Sequence, residues 1–596
     1  MKKQLFYCLL SCTSLCCITG HALEVSKTYV PKKKSMYHKE WIDFNKNGQK
    51  DIYEDPKAPL NDRIEDLLSQ MTMEEKTCQM VTLYGYQRVL KDSLPTPDWK
   101  SQLWKDGIGA IDEHLNAFRG WGVPPMKNEL VWPASNHAWA LNEVQRFFVE
   151  ETRLGIPADF TNEGIRGVEN YIATNFPTQL ALGHTWNREL IRQVGYITGR
   201  EARLLGYTNY APILDVGRDQ RWGRYEEVYG ESPYLVAELG IAMGKGLQTD
   251  MQVASTAKHF IAYSNNKGAR EGFARVDPQM SWREVENIHA YPFTRVIQEA
   301  GILGVMSSYN DYDGFPIQSS YYWLTQRLRG TMGFRGYVVS DSDAVEYLYS
   351  KHKTAKDMKE AVRQSVEAGL NVRCTFRSPE SYVLPLRELI QEGGLSMETI
   401  DNRVRDILRV KFLTGLFDTP YQTDLALADK EVNSEAHQQV ALQASREGLV
   451  LLKNANNLLP LDKSQIKRIA VCGPNADEAS FALTHYGPVA VEVTTVLEGI
   501  KRQVKEGTKV TYTKGCDLVD ANWPESEIIS YPLTAEEKTE IQKAVDNVKE
   551  SDVAVVVLGG GIRTCGENKS RTSLDLPGHQ QQLLEAIVAT GKPVIL

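Results

Sequence analysis

From about residue 106 onward, short apolar runs separated by stretches of helical periodicity organise this chain. The runs at 156–160, 207–216, 253–260, 302–307 and 337–340 are near-continuous rather than alternating. Strands buried on both faces of a parallel sheet read this way. Between them, 186–205, 282–299 and 354–368 predict helices. Upstream, 62–80 predicts one amphipathic helix, and 24–60 is polar and irregular. Strand–helix units repeated over about 300 residues predict an α/β fold, either a (β/α)8 TIM-like barrel or a doubly wound sheet.

The loops favour the barrel. Polar, chemically rich segments follow several strands: Thr161-Asn162-Glu163, Arg218 to Arg224, Lys258-His259 and Asp341-Ser342-Asp343. Barrel enzymes draw their sites from the ends of many strands, whereas a doubly wound nucleotide binder needs one dominant Gly-rich crevice. The helical pattern stops at 415–430, and a second strand–helix series follows, with runs at 449–452, 468–472, 509–512, 552–558 and 593–596. The expected division is a signal peptide at 1–22, an N-terminal extension at 23–60, the barrel at 61–420, a linker at 421–436 and an α/β sandwich domain at 437–596. The last run stops at the final residue, so the second domain is expected to be incomplete.

Composition narrows the class. Of 596 residues, 42% are hydrophobic and 24% charged, as in soluble multidomain proteins. The formal net charge of -8 speaks against a nucleic-acid partner, because phosphates would repel it. Lys2 and Lys3 precede an apolar run that ends near Gly20-His21-Ala22. That pattern predicts export, to the periplasm or beyond, and the run is too short to span a bilayer. No later segment is long and apolar enough for a membrane span. Four of nine cysteines fall in this leader; Cys78, Cys374, Cys472, Cys516 and Cys565 are scattered, with neither zinc-site nor disulfide-framework spacing.

The chemistry gathers at strand ends. The segment Gly333 to Asp341 delivers a carboxylate at the end of a buried strand, where it must be paired or functional. Taken singly, Glu163, Arg224, Lys258 and His259 each fit a barrel-rim ion pair. Together they supply donors and acceptors for several hydroxyls, as a sugar requires. The stretch Asp215 to Arg224, then Gly230-Glu231-Ser232-Pro233, Lys258-His259-Phe260, Met306 to Asn310 and Val338 to Asp341 resembles glycoside hydrolase family 3 in order and spacing over nearly all of 60–596. The resemblance implies Asp341 as nucleophile. It implies Glu163, Arg224, Lys258, His259 and Tyr309 as sugar-holding residues, and an acid/base from the second domain at Glu567. Two carboxyls of this kind cleave glycosides with retention. The implied activity is an exo-acting β-glycosidase on terminal β-D-xylosyl or β-D-glucosyl residues of oligosaccharides, such as plant-type β-glycans, with no catalytic cofactor. Ser342 follows Asp341 where many β-glucosidases of the family carry Trp, and Glu163 stands in place of the commoner Asp; both point towards β-xylosidase-like members. Arg166 replaces a His often seen there, so the sugar, the linkage and the oligomeric state stay open.

A second motif lies at Asp43, Asn45, Asn47, Gln49, Asp51 and Glu54, with Gly48 at the turn. It matches a calcium loop in ligand spacing. Pro56 and Pro59 exclude the following helix of an EF-hand, and an ordinary Asn/Gly turn is the alternative reading. Three other functions compete. A nucleotide-binding oxidoreductase would use Gly559-Gly560-Gly561, but Thr564 takes the place of the third fingerprint glycine. A non-catalytic carbohydrate-binding protein would not need both Asp341 and Glu567. A related phosphorylase would carry a His as acid/base, where this chain has Glu567.

Overall fold

The computed structural model describes residues 25–85, 88–118, 124–264, 277–483 and 486–596. The expected leader at 1–22 lies outside the described residues. Seven parallel strands follow one another in space as in sequence: β1 (Thr82–Tyr84), β2 (Ala110–Asp112), β3 (Asp159–Asn162), β4 (Asn209–Tyr210), β5 (Ala254–Phe260), β6 (Gly304–Ser307) and β7 (Tyr337–Ser340). Residues 371–374 close the ring. Val372 N donates to Val338 O at 3.0 Å on one side, and Arg373 N donates to Met80 O at 2.9 Å on the other. Parallel bridges Val339↔Val372 and Val81↔Arg373 accompany these bonds. The first domain is therefore the expected (β/α)8 barrel, with its eighth strand reduced to a bridged segment.

Helices between strands form the outer layer, among them Ala134–Arg146, Arg188–Leu205, Pro233–Leu247, Ala290–Ala300, Met358–Ala368 and Met397–Leu413. The first β–α unit carries only short helical turns, Pro97–Ser101 and Leu103–Asp106. The single helix expected at 62–80 is two, Leu60–Gln70 and Met73–Gln79. Thr72 starts the second, accepting from Glu75 N while the Glu75 side chain returns to Thr72 N. Such a capping box stabilises a helix start by about 1 kcal/mol, and it wins over the continuous periodicity. The apolar run at 207–216 is strand only at β4, with one further bridge from Ile213 to Lys258. Within 421–436, helix Leu425–Glu431 buries Leu425 and Ala428 against the barrel's outer helices. The floor of the barrel holds a buried lysine, Lys411, which donates to Gln79 Oε1, Ile108 O and Pro157 O at 2.7–3.1 Å.

The second domain is a four-stranded parallel sheet: β8 (Arg468–Cys472), β9 (Lys509–Thr513), β10 (Val553–Val556) and β11 (Val594–Ile595), in the order β9-β8-β10-β11. Alternation along β8 sets its two faces. Ala470 and Cys472 pack with Ile541, Val545 and Leu583 from helices Ala535–Lys549 and Gln580–Val588. Ile469 and Val471 pack with Leu497 of helix Val496–Gln503. Helices on both faces make it an α/β sandwich. The strand expected at 449–452 is not formed; Leu449, Val450, Leu451 and Leu452 have no regular secondary structure and are exposed. All five described cysteines are free thiols.

Candidate active site

The carboxyl ends of the barrel strands converge on one mouth. Asp341 follows β7 directly; its Oδ1 accepts from Ser342 N at 2.7 Å, and its own N donates to Ser307 O at the end of β6. Lys258 and His259 close β5, Glu163 follows β3, and Arg224 lies in the loop after β4. Lys258 Nζ donates to Glu163 Oε2 at 3.2 Å. Burial is the largest single influence and works against the Lys258 charge, with Arg224 beside it, but Glu163, Asp341 and Glu227 together outweigh them, so the ammonium is held above its ordinary range.

His259 links the two sides of the mouth. Its Nδ1 lies 2.7 Å from Asp215 Oδ2, while Nε2 stands 3.7 Å from Asp341 Oδ2 and 3.3 Å from Arg224 Nη1. Burial pushes the Asp215 carboxyl up to about 7, against the pull of Arg224 and of the His259 backbone N–H. Arg224 is buried too, yet Glu227 and Glu567 hold its charge well above the ordinary range. Its Nε and Nη2 donate to Glu227 Oε2 at 2.8 and 2.6 Å. Its Nη1 donates to Glu567 Oε1 at 2.9 Å.

Glu567 arrives from the second domain, on the long loop after β10. That loop is stitched to the barrel by Gly566 N to Gly223 O at 2.6 Å, Arg571 N to Arg221 O at 2.7 Å and Gly223 N to Ser570 Oγ at 3.2 Å. A Cβ on Gly223 would stand 2.3 Å from Gly566 O, so this contact requires glycine. The loop after β8 is docked as well. Tyr486 O accepts from Ile165 N at 2.5 Å and from Arg166 N at 3.2 Å. The Tyr486 ring lies 5.8 Å from the Arg224 guanidinium and 5.3 Å from Lys258 Nζ, within cation–π range.

The result is one cleft of about 80 Å³ holding Asp341, Ser342, His259, Arg224, Glu163 and Glu567, with Tyr84, Phe118, Phe376 and Tyr486 as aromatic walls and Arg88 beside them. Lys258 reaches it through Glu163. Tyr309 stands further back, with its ring 5.8 Å from Tyr263, which packs on His259 at 4.9 Å. Seven contributors were not singled out from sequence: Tyr84, Arg88, Phe118, Asp215, Glu227, Phe376 and Tyr486. Asp215 carried a usable signal, since it is a carboxylate near the end of an apolar run. Tyr486 carried none, because its place depends on how two domains dock.

The calcium motif folds into a compact turn. Asp43 accepts from Asn47 N at 3.1 Å and from Gly48 N at 2.9 Å, and Gly48 sits at φ +76°. The Asn45 and Asn47 side-chain amides both reach Asp51 Oδ2, at 2.7 and 2.8 Å. Glu54 is taken up as a backbone cap, accepting from Phe44 N, Asn45 N and Asp51 N. Gln49 takes part through its backbone N–H, which donates to Asn47 Oδ1 at 2.6 Å. Asp43 and Asp51 are thus engaged by donors of the turn itself, and among the described residues no group of three or more His, Cys, Asp or Glu is placed to hold a metal ion.

Comparison with known proteins agrees with both domains. Residues 132–410 match the glycosyl hydrolase family 3 N terminal domain, and 449–596 match the family's C-terminal domain. A beta-xylosidase of Formosa agariphila is 36% identical over 470 residues, which is 74% of this chain and 62% of that protein. A periplasmic beta-glucosidase of Salmonella typhimurium is 32% identical over 555 residues, covering 89% of this chain and 67% of that protein. The solved structure of a β-glucosidase from Erythrobacter marinus superposes with a TM-score of 0.80 at 30% identity, covering 91% of this chain and 72% of that one. The chain thus spans a little under two thirds of the Formosa relative's length. With both family domains matched in order, on the fold and around the cleft described above, the chain belongs to glycosyl hydrolase family 3.

Proposed function

We propose that this chain carries the active site of a retaining, exo-acting β-glycosidase that releases terminal β-D-xylosyl or β-D-glucosyl residues from oligosaccharides. The observation that carries the reading is the meeting of two carboxylates from different domains in one cleft, joined through His259 and Arg224. Asp341 is the nucleophile: buried beside His259, with its backbone N bonded to Ser307 O, it attacks the anomeric carbon. Glu163, Lys258 and Arg224 hold the sugar hydroxyls. An arriving hydroxyl competes for the Arg224 donor that now holds Glu567, freeing Glu567 to protonate the leaving oxygen and then to activate water. Four aromatic residues on the walls of the cleft favour packing against the face of a sugar ring. The Formosa relative's name and the small Ser342 beside Asp341 favour xylose, and the Salmonella relative's name supports glucose as the second choice. The leader pattern at 1–22 and the periplasmic relative support export; among the described residues no helix is long and apolar enough to cross a membrane.

The test is covalent. A 2-deoxy-2-fluoro-xyloside should inactivate the enzyme and label Asp341, as read by peptide mass mapping. Asp341→Asn should abolish turnover while leaving the melting curve within a few degrees of wild type. A label on any other carboxylate, or residual turnover above about 1% in Asp341→Asn, would overturn the assignment.

A further inference from the structure

The second domain's sheet runs β9-β8-β10-β11, so its winding reverses between β8 and β10. Where loops leave two neighbouring parallel strands in opposite directions, a crevice opens at their carboxyl ends, and ligands use it. Such a crevice is present here, a cavity of about 200 Å³ against Pro474, Asn475, Phe481, Lys514, Leu518 and Gly561. It shares no lining residue with the cleft that holds Asp341.

We infer that this crevice is a second carbohydrate site, one that takes a neutral sugar unit; the choice of sugar rests on the glycosidase reading above. The glycines around it do not cradle a phosphate. Gly559 N already donates to Gln580 Oε1 at 2.8 Å and Gly561 N to Thr564 Oγ1 at 2.9 Å. A Cβ on Gly560 would stand 2.7 Å from Cys565 Sγ, and one on Gly561 would stand 2.8 Å from Leu518, so both glycines answer to packing. The charge there disfavours an anion. Lys514 pairs with Asp517, and Glu478, whose Oε1 accepts from Ser480 N at 2.5 Å, leaves one negative charge. What remains is an apolar floor of Phe481, Leu518 and Ile562, with the Asn475 amide held over it by Gly560 O at 3.0 Å. An aromatic face beside fixed polar groups suits a sugar ring.

Two of the three loops that wall the crevice are the ones that enter the active cleft; the third, after β9, supplies Lys514 and Leu518. On one of the two that enter the cleft, Phe481 O accepts from Arg166 Nη2 at 3.1 Å and Tyr486 follows; the other runs on to Gly566 and Glu567. A sugar bound here pins both loops. It is either the distal part of the substrate or a separate oligosaccharide, and the experiment separates the two.

The full chain is titrated calorimetrically with xylotetraose, before and after blocking the cleft with the 2-fluoro-xyloside; a mass shift confirms the block, so failure of the nucleophile reading shows itself separately. Persistent binding that weakens at least about tenfold in both Phe481→Ala and Lys514→Ala, with unchanged melting, supports a site for a separate oligosaccharide. No binding after the block, but a similar drop in kcat/KM for xylotetraose and none for an aryl xyloside, supports a site for the substrate's own distal units. If neither binding nor kcat/KM moves in variants that melt normally, the crevice binds no sugar and the inference falls.

Discussion

At the residue scale, the mouth of the barrel is a chain of four groups, Asp341, His259, Arg224 and Glu567, with Asp215 anchoring the histidine from below. Burial lifts the Asp215 carboxyl from its ordinary 3.8 to about 7. A folded value above the unfolded one means that its stabilising contribution is complete below about 3.8 and is lost as pH rises through about 7. Asp215→Asn should therefore gain thermal stability relative to wild type as pH goes from about 4 to 8; a difference in melting temperature that stays constant across that range would contradict this. Glu567 makes a different prediction. Glu567→Ala should lower kcat/KM about a hundredfold or more for glycosides with poor leaving groups and far less for activated aryl glycosides, since only the former need the proton. Azide should restore turnover of the activated substrates. Equal losses on every leaving group, with no azide effect, would move the acid to another residue of the loop.

At the scale of elements, local signals and tertiary demands compete. The helix expected at 62–80 divides because the Thr72–Glu75 capping box satisfies a helix start in mid-pattern. The first two barrel strands escape the apolar-run pattern because they are three residues long, and Asp112 at the end of β2 is buried and polar. Burial and the neighbouring Glu113 and Glu163 push the Asp112 carboxyl well above the usual range, so a residue that looks like a loop acid completes a strand. The turn at 43–54 is closed by its own donors to Asp43 and Asp51, while Glu54 caps the backbone. The melting temperature should therefore be indifferent to chelator and to calcium, as for a self-closed Asn/Gly turn. A drop of a few degrees with chelator that calcium restores, and magnesium with its tighter octahedral shell does not, would make the loop a calcium site.

At the scale of the whole molecule, the seam between domains builds the site. Neither domain alone brings Asp341 and Glu567 together, and the stitch beside Glu567, Gly566 N to Gly223 O at 2.6 Å, has no room for a side chain on Gly223. Gly223→Ala should therefore push the Glu567 loop outward. The expected outcome is a Glu567→Ala-like leaving-group profile in an enzyme whose barrel still melts like wild type. An alanine variant with wild-type kinetics would show that the seam is looser than this contact requires.

What the sequence determined by itself was local in origin. Continuous apolar runs mark strands buried on both faces, and the polar residues at and just after their ends mark the barrel mouth. Asp341, His259 and Glu163 were legible for that reason, and so was the α/β class of both domains. The motif order from Asp215 to Asp341 added the family, and with it Glu567. Only the tertiary structure decided which groups meet. Arg224 and Glu567 are 343 residues apart, and their contact exists because two domains dock. The same docking brings Tyr486 over Arg224 and Lys258, and the fold of the barrel puts Asp215 under His259. The run at 449–452 shows the converse: four apolar residues predict a strand, yet no neighbour in the sheet pairs with them and they stay exposed. A one-dimensional pattern records how much of each element is buried; the partner that buries it is a property of the packed whole.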